Sequence, residues 1–250
     1  MCEENHKSER IAKRMARAGL CSRRDAESWI AAGRVVVNGV RLESPAFKVS
    51  GDDRIEVDGK LLERAEATQL YLYHKPVGLV TSHKDEQGRE TVFDALPDDL
   101  PRLISVGRLD LNTEGLLLLT NDGGLARYLE LPKNAVERCY RVRVLGRVDE
   151  KRLQGLKSGI TVEGVHYKSI KAELERSKNA ANQWVKMTLH EGKNREIRRV
   201  MEALGLQVNR LIRVSYGPFE LGKIKAGEVQ QISDAALKNS VPAYFKSEGA

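Results

Sequence analysis

The sequence predicts an α+β protein in two parts: a small α/β module over residues 1–60 and, after a charged linker at 61–69, a larger domain over 70–235. Three observations lead there. Helix-like and strand-like periodicities succeed one another within the first 60 residues and are closed by turn signals. From Leu70 onward, strand pairs joined by short turns are interspersed with short helical segments, which favours a mixed, mostly antiparallel sheet. A chain of 250 residues is long enough for one substantial domain plus a small one, and residues 236–250 read as a polar tail.

Within the module, Ile11, Met15 and Ala18 recur at helical spacing, with Arg10, Arg14 and Arg17 on a different face, and Gly19 breaks the pattern. Ser22, with Asp25 three residues on, resembles a capping box; Ala26, Trp29 and Ile30 form the apolar face of a second helix, which Gly33 ends. Residues 34–37, an Asn38-Gly39 turn and 40–42 form a hairpin signal, and 54–57 alternates like a strand before Asp58-Gly59. In the larger domain strands are expected at 70–74, 103–107, 116–120, 139–145, 169–174, 184–189, 207–214 and 229–232, and helices near 91–95, 125–129, 150–157 and 195–204.

Composition narrows the function. The chain carries 42 Lys+Arg against 35 Asp+Glu, a net charge of +7 that favours an anionic partner such as nucleic acid. Cys2, Cys21 and Cys139 are too scattered for a disulfide framework or a zinc site, which fits a reducing cytoplasm. The polar start of the chain lacks the apolar core of a signal peptide, and the longest leucine run, 116–119, cannot span a bilayer. No glycine-rich nucleotide loop appears, and His6, His74, His83, His166 and His190 have no metal spacing, so neither cofactor nor metal is expected.

Three stretches of the larger domain stand out. His74-Lys75-Pro76-Val77-Gly78-Leu79-Val80-Thr81-Ser82 is a strand leaving through a Pro/Gly turn, and by itself reads as an ordinary turn. Residues 107–115, Gly-Arg-Leu-Asp-Leu-Asn-Thr-Glu-Gly, form a polar excursion between apolar strands, a natural mount for catalysis. An Asp there, Asp110, equally serves to cap a turn or to pair with Arg108. The third, around 191–199, belongs to a span from Lys193 to Arg213 with six Lys/Arg against two acids; it suits phosphate binding or a plain basic surface. The same two readings apply to 7–34, with eight Lys/Arg against three acids.

Residues 8–60 resemble the small RNA-binding module named after a small-subunit ribosomal protein, through Arg14, Gly19, Ser22-Arg23-Arg24, Ala26-Glu27, Ile30, Gly33-Arg34-Val35, Val37-Asn38-Gly39 and Asp53. Gly107-Arg108-Leu109-Asp110 with Thr113-Glu114-Gly115 and the run to Gly123 resembles the signature of pseudouridine synthases. Lys75-Pro76-x-Gly78-x-Val80-Thr81-Ser82 and Gly192-Lys193-Asn194-Arg195-Glu196-Ile197-Arg198-Arg199 are similar to the ribosomal-RNA branch represented by RsuA and RluB. The 194–199 block and the strand at 140–144 are closer to the large-subunit RluB type than to the small-subunit RsuA type.

The resemblance implies a cofactor-independent isomerisation of uridine in ribosomal RNA by a cytoplasmic monomer. It makes Asp110 the carboxylate acting on the ribose, and Arg198 the arginine paired with it. Tyr140 would stack on the base, Leu211 would pack beneath it, and Arg108 would fill the stack once the uridine is turned out. Lys75, Lys193, Asn194 and Arg195 are expected to meet substrate, and Arg10, Arg14, Arg17, Arg23, Arg24 and Arg34 to meet RNA backbone. A non-catalytic assembly factor would be expected to lack Asp110, Tyr140 or Arg198; a metal-dependent nuclease would need clustered carboxylates or histidines.

Overall fold

The computed structural model describes residues 8–175 and 182–248; Cys2, His6, Lys7 and the last two residues of the expected tail lie outside them. The chain divides into two units, one of Met1–Thr68 with Pro101–Leu103 and Asn121–Gly123, the other of Gln69–Leu100, Ile104–Thr120 and Gly124–Ala250.

In the first unit a short strand, β1 (Glu9–Arg10), leads into α1 (Ile11–Arg17) and α2 (Arg23–Ala31). A four-stranded antiparallel sheet follows, from β2 (Val35–Val37), β3 (Val40–Arg41), β5 (Ile55–Val57) and β6 (Lys60–Leu61), while β4 (Lys48–Val49) pairs with β1. Ser22 Oγ accepts from the Asp25 amide and the Asp25 carboxylate accepts from the Ser22 amide, each at 3.0 Å, a cap worth about 1 kcal/mol. Asn38 and Gly39 both have positive φ, as the two-residue hairpin turn requires. Asn38 also holds the next strand: it donates to Asp53 (2.7 Å) and accepts from the Arg54 amide (2.9 Å). Ile11, Met15, Ala26, Ile30, Val35 and Ile55 fill the core. Leu61, assigned from sequence to the linker, is the second residue of β6.

The second unit is built on a nine-stranded sheet. Its strands are β7 (Leu70–Lys75), β8 (Ile104–Val106), β9 (Glu114–Thr120), β10 (Arg138–Leu145), β13 (Lys171–Glu175), β14 (Asn182–Leu189), β15 (Gln207–Tyr216), β16 (Phe219–Glu220) and β17 (Val229–Gln231). They run in the order β13-β14-β10-β15-β9-β7-β17, with β8 beside β9 and β16 beside β15. Only β15–β9 is parallel among the described pairs, so the sheet is mixed and mostly antiparallel as expected. A separate hairpin, β11 (Ile160–Val162) and β12 (Val165–Tyr167), turns through Glu163 and Gly164, both at positive φ. Helices α3 (Gly123–Glu130), α4 (Glu150–Gly155) and α5 (Glu196–Ala203) lie between strands in sequence.

The parallel contact between β15 and β9 depends on one glycine. Gly115 sits opposite Arg213 with φ +103°, and a Cβ there would run into the Arg213 backbone. Along β10, Tyr140, Val142 and Val144 are buried while Arg141 and Arg143 alternate outward, the period-two pattern of a half-covered strand.

Two expectations fail. Residues 91–95 form a turn, not a helix: Thr91 and Asp94 exchange the side-chain bonds of a helix start, but Pro97 follows and disfavours continuation, and Thr91 bridges to Val80. The expected polar tail is folded as α6 (Asp234–Ser240) and α7 (Pro242–Glu248). Leu237, Val241 and Tyr244 are buried in a core with Leu125, Leu129 and Phe219, and burying each apolar side chain is worth about 1.5–3 kcal/mol.

Candidate active site

The 107–113 loop between β8 and β9 is pinned along its backbone by side chains from elsewhere in the second unit. Glu130, at the end of α3, accepts from the Gly107 amide at 2.5 Å. Thr81 Oγ1 donates to the Leu109 carbonyl (2.9 Å) and accepts from the Leu109 amide (3.3 Å). The Gly78 amide donates to the Leu111 carbonyl (2.9 Å), and Arg198 Nη2 donates to the Asn112 carbonyl (2.8 Å). Lys75 Nζ donates to the carbonyls of Pro76 (2.9 Å) and Thr113 (3.0 Å), with Leu111 at 3.5 Å. Residues 75–82 are therefore more than a turn: Lys75, Gly78 and Thr81 each end on the loop that carries Asp110.

That loop forms one wall of a cleft of about 900 Å³. Arg108, Asp110 and Leu111 come from the loop, Tyr140 from β10, Leu211 from β15, and Lys193, Asn194, Arg195 and Glu196 from the turn entering α5. Tyr140 and Leu211 stand on neighbouring strands, paired with Arg213 and Val142 respectively. Both are buried, while Arg108, Asn194 and Arg195 are exposed and Asp110 is half-buried. An apolar and aromatic floor thus meets a polar, cationic rim with one carboxylate between them, a layout suited to a flat, uncharged ring on an anionic backbone.

Three expected residues behave differently from the sequence reading. Lys75 is fully buried, bound to carbonyls and absent from the cleft lining, so in this structure it holds the loop. Burial pushes its ammonium down to about 8, opposed by the nearby charges of Asp110 and Glu114. Arg198 lies outside the cleft lining and forms no ion pair with Asp110 within 4 Å; its guanidinium donates to the carbonyls of Asn112 and Val208, the second at 3.3 Å. Burial and the Arg195 guanidinium lower its pKa, and Asp110 pulls the other way, so the carboxylate acts on Arg198 through space. The Lys193 side chain, although exposed, is engaged by Glu191 at 3.3 Å, by the His166 carbonyl and by the Tyr167 ring at 5.5 Å.

Sequence reasoning missed Thr81 and Glu130 as supports of the loop, and Glu196 as a buried carboxyl of the cleft. The first two signals were present, a Thr three residues past Gly78 and an acid closing a helix, but nothing local says what either touches. Arg210 was read as part of a basic cluster; it forms a two-pronged pair with Glu114 at 2.5 and 3.0 Å.

In the first unit Arg10, Arg23, Arg24 and Arg34 are exposed, and Arg14 and Arg17 half-buried. Arg23 and Arg24 open α2, where cations oppose the helix dipole, so helix stability does not explain them. Arg34 lies over the Trp29 ring at 4.5 Å and forks onto Asp58. Arg14 lies 3.7 Å from Glu9. Arg17 is turned inward onto Thr68 (3.1 Å) and Asp122 (3.6 Å), leaving its charge poorly placed for a phosphate.

Comparison with known proteins identifies both parts of the chain. Residues 69–203 match the family model described as RNA pseudouridylate synthase, and residues 9–55 match the S4 domain. A Rickettsia felis protein named an uncharacterized RNA pseudouridine synthase is 46% identical over 92% of this chain and 99% of its own length. The ribosomal large subunit pseudouridine synthase B of Salmonella typhi is 46% identical over 86% of this chain and 76% of its own. A crystal structure of a pseudouridylate synthase, 30% identical, superposes with a TM-score of 0.64 over 92% of this chain and 98% of that one. The chain belongs to the RNA pseudouridylate synthase family, with an S4 domain at its N-terminal end.

Proposed function

We propose that this isomerase converts uridine to pseudouridine in large-subunit ribosomal RNA, with Asp110 as the carboxylate that acts on the ribose. The observation that carries the reading is the convergence of Arg108, Asp110, Tyr140, Leu211 and the 193–195 turn on one cleft from four separate segments. The target uridine leaves its helix, because a stacked base is out of reach of the carboxylate, and Arg108 takes the vacated space. Its ring lies between Tyr140 and Leu211 while the uracil detaches, rotates and re-bonds through carbon. The exposed Asn194 and Arg195 meet the flanking backbone, and Arg198 keeps the Asp110 loop in place. Arg10, Arg23, Arg24 and Arg34 of the S4 domain bind phosphates, a contact that positions RNA without reading sequence.

The large-subunit assignment rests on similarity to the Salmonella typhi protein of that name. The purified protein is expected to form pseudouridine in unmodified large-subunit transcript and to leave small-subunit transcript unchanged. Modification of the small-subunit transcript alone would reverse the assignment; modification of neither would refute the reading.

A further inference from the structure

The turn that enters α5 lines the cleft and has an unusual support. Glu196, the first residue of α5, is 4% exposed. One of its carboxyl oxygens accepts from the Lys193 amide at 3.0 Å, and the other, Oε1, is buried and has no conventional donor. The group that acts on the Glu196 carboxyl, as a like charge and as a hydrogen-bonding side chain, is a second carboxyl, that of Glu191. Glu191 is itself fixed by the Lys168 amide at 2.7 Å and the Lys193 ammonium at 3.3 Å. Between the two acids the chain makes a tight excursion that ends on Arg195 at φ +51°, a left-handed conformation costly for a side-chain-bearing residue. Residues 192–195 all line the cleft.

Two carboxylates in contact repel, whereas one carboxylate and one carboxylic acid share a hydrogen bond. We propose that Glu196 is a positioning residue whose protonated carboxyl, bonded to Glu191, clamps the 192–195 turn in the shape that presents Asn194 and Arg195 to RNA. The charged groups acting on the pair support this division. Burial and Glu191 push Glu196 up to about 7 against the Lys193 amide and ammonium. Burial also pushes Glu191 up, but the Lys168 amide and the Lys193 ammonium outweigh it and keep Glu191 below the usual carboxylate range. The proton therefore resides on Glu196, and the clamp opens as pH rises through about 7. The inference rests on the proposed role of the cleft in RNA modification, and deepens it by naming what holds one wall.

The test compares wild type, Glu196→Gln and Glu196→Ala in single-turnover kcat/KM on large-subunit transcript from pH 5.5 to 9, and in thermal melting from pH 4.5 to 9. An amide copies the neutral acid at every pH: it donates to Glu191 and accepts from the Lys193 amide. Wild-type kcat/KM is expected to fall by about tenfold as pH rises through about 7, Glu196→Gln to lack that step and to fall only as Lys75 loses its proton near 8, and Glu196→Ala to be low throughout. The wild-type melting temperature should decline between pH 4.5 and 7 relative to Glu196→Gln, because folding favours the protonated acid and that advantage is lost as pH rises. A fall centred near pH 7 retained in Glu196→Gln would overturn the proposal, as would a melting difference independent of pH. If wild type modifies no transcript, the reading of the function fails, and the melting comparison still decides the clamp.

Discussion

The two units use their cations in opposite ways. In the first, Arg10, Arg23 and Arg24 stand exposed on short elements, two of them at the wrong end of a helix for its dipole. In the second, Arg108 and Arg195 on the cleft are exposed too, but three further cations point inward and donate to backbone carbonyls: Lys75 to Pro76 and Thr113, Arg198 to Asn112 and Val208, and Arg213, 2% exposed, to Leu116 at 2.7 Å. Withdrawing a charge from water costs several kcal/mol, which the carbonyls and the nearby Asp110 and Glu114 offset in part. In the proposed function an exposed arginine meets phosphate and sets where RNA lies. A buried one fixes backbone and sets where a carboxylate lies. The first role tolerates a shift of an ångström, and the second does not.

This contrast predicts a ranking of effects. Asp110→Asn should abolish pseudouridine formation, by at least about 1,000-fold, while leaving RNA affinity within about threefold, since the loop is held through its backbone. Turnover within tenfold of wild type would remove Asp110 from the chemistry. Lys75→Met should lower the single-turnover rate by about 100-fold with little change in affinity, the signature of a displaced loop. A matching loss of affinity would return Lys75 to the substrate-binding role expected from sequence. Its pH dependence has a definite sign. Lys75 binds its proton less readily folded than unfolded, so wild-type stability should rise relative to Lys75→Met as pH goes from about 8 to 10.5.

On the other side of the comparison, Arg23→Ala with Arg24→Ala should weaken RNA binding and flatten its salt dependence by about 1.5 in log–log slope, with the saturated rate nearly unchanged. An unaltered slope would make these arginines a solvated face. Arg17→Ala should do the reverse, lowering the melting temperature through loss of Asp122 and Thr68 while the slope stays put. The smallest effect is thus assigned to an arginine that sequence alone grouped with the RNA-binding set.

How far the sequence could be read follows from what each signal depends on. The capping box at Ser22, the Asn38-Gly39 turn and the alternation in β10 are local, since their partners lie within a few residues or repeat at a fixed period. The tail was missed although Leu237, Val241 and Tyr244 stand at helical spacing, because polar neighbours diluted the pattern and only the core around Leu125 makes it fold. In the cleft, Asp110, Tyr140 and Leu211 were found through motif resemblance, and the structure places all three on its wall. What Lys75, Thr81 and Arg198 touch was not legible: each reaches a backbone carbonyl between 28 and 86 residues away, and a carbonyl leaves no mark on sequence.

The most direct measurement is a map of pseudouridine in ribosomal RNA from cells lacking the gene, restored in turn with wild type and with Asp110→Asn at equal protein levels. A single large-subunit uridine should remain unmodified in the deletion strain, return to pseudouridine with wild type, and stay uridine with Asp110→Asn. Restoration by Asp110→Asn, or a lost modification confined to small-subunit RNA, would contradict the account.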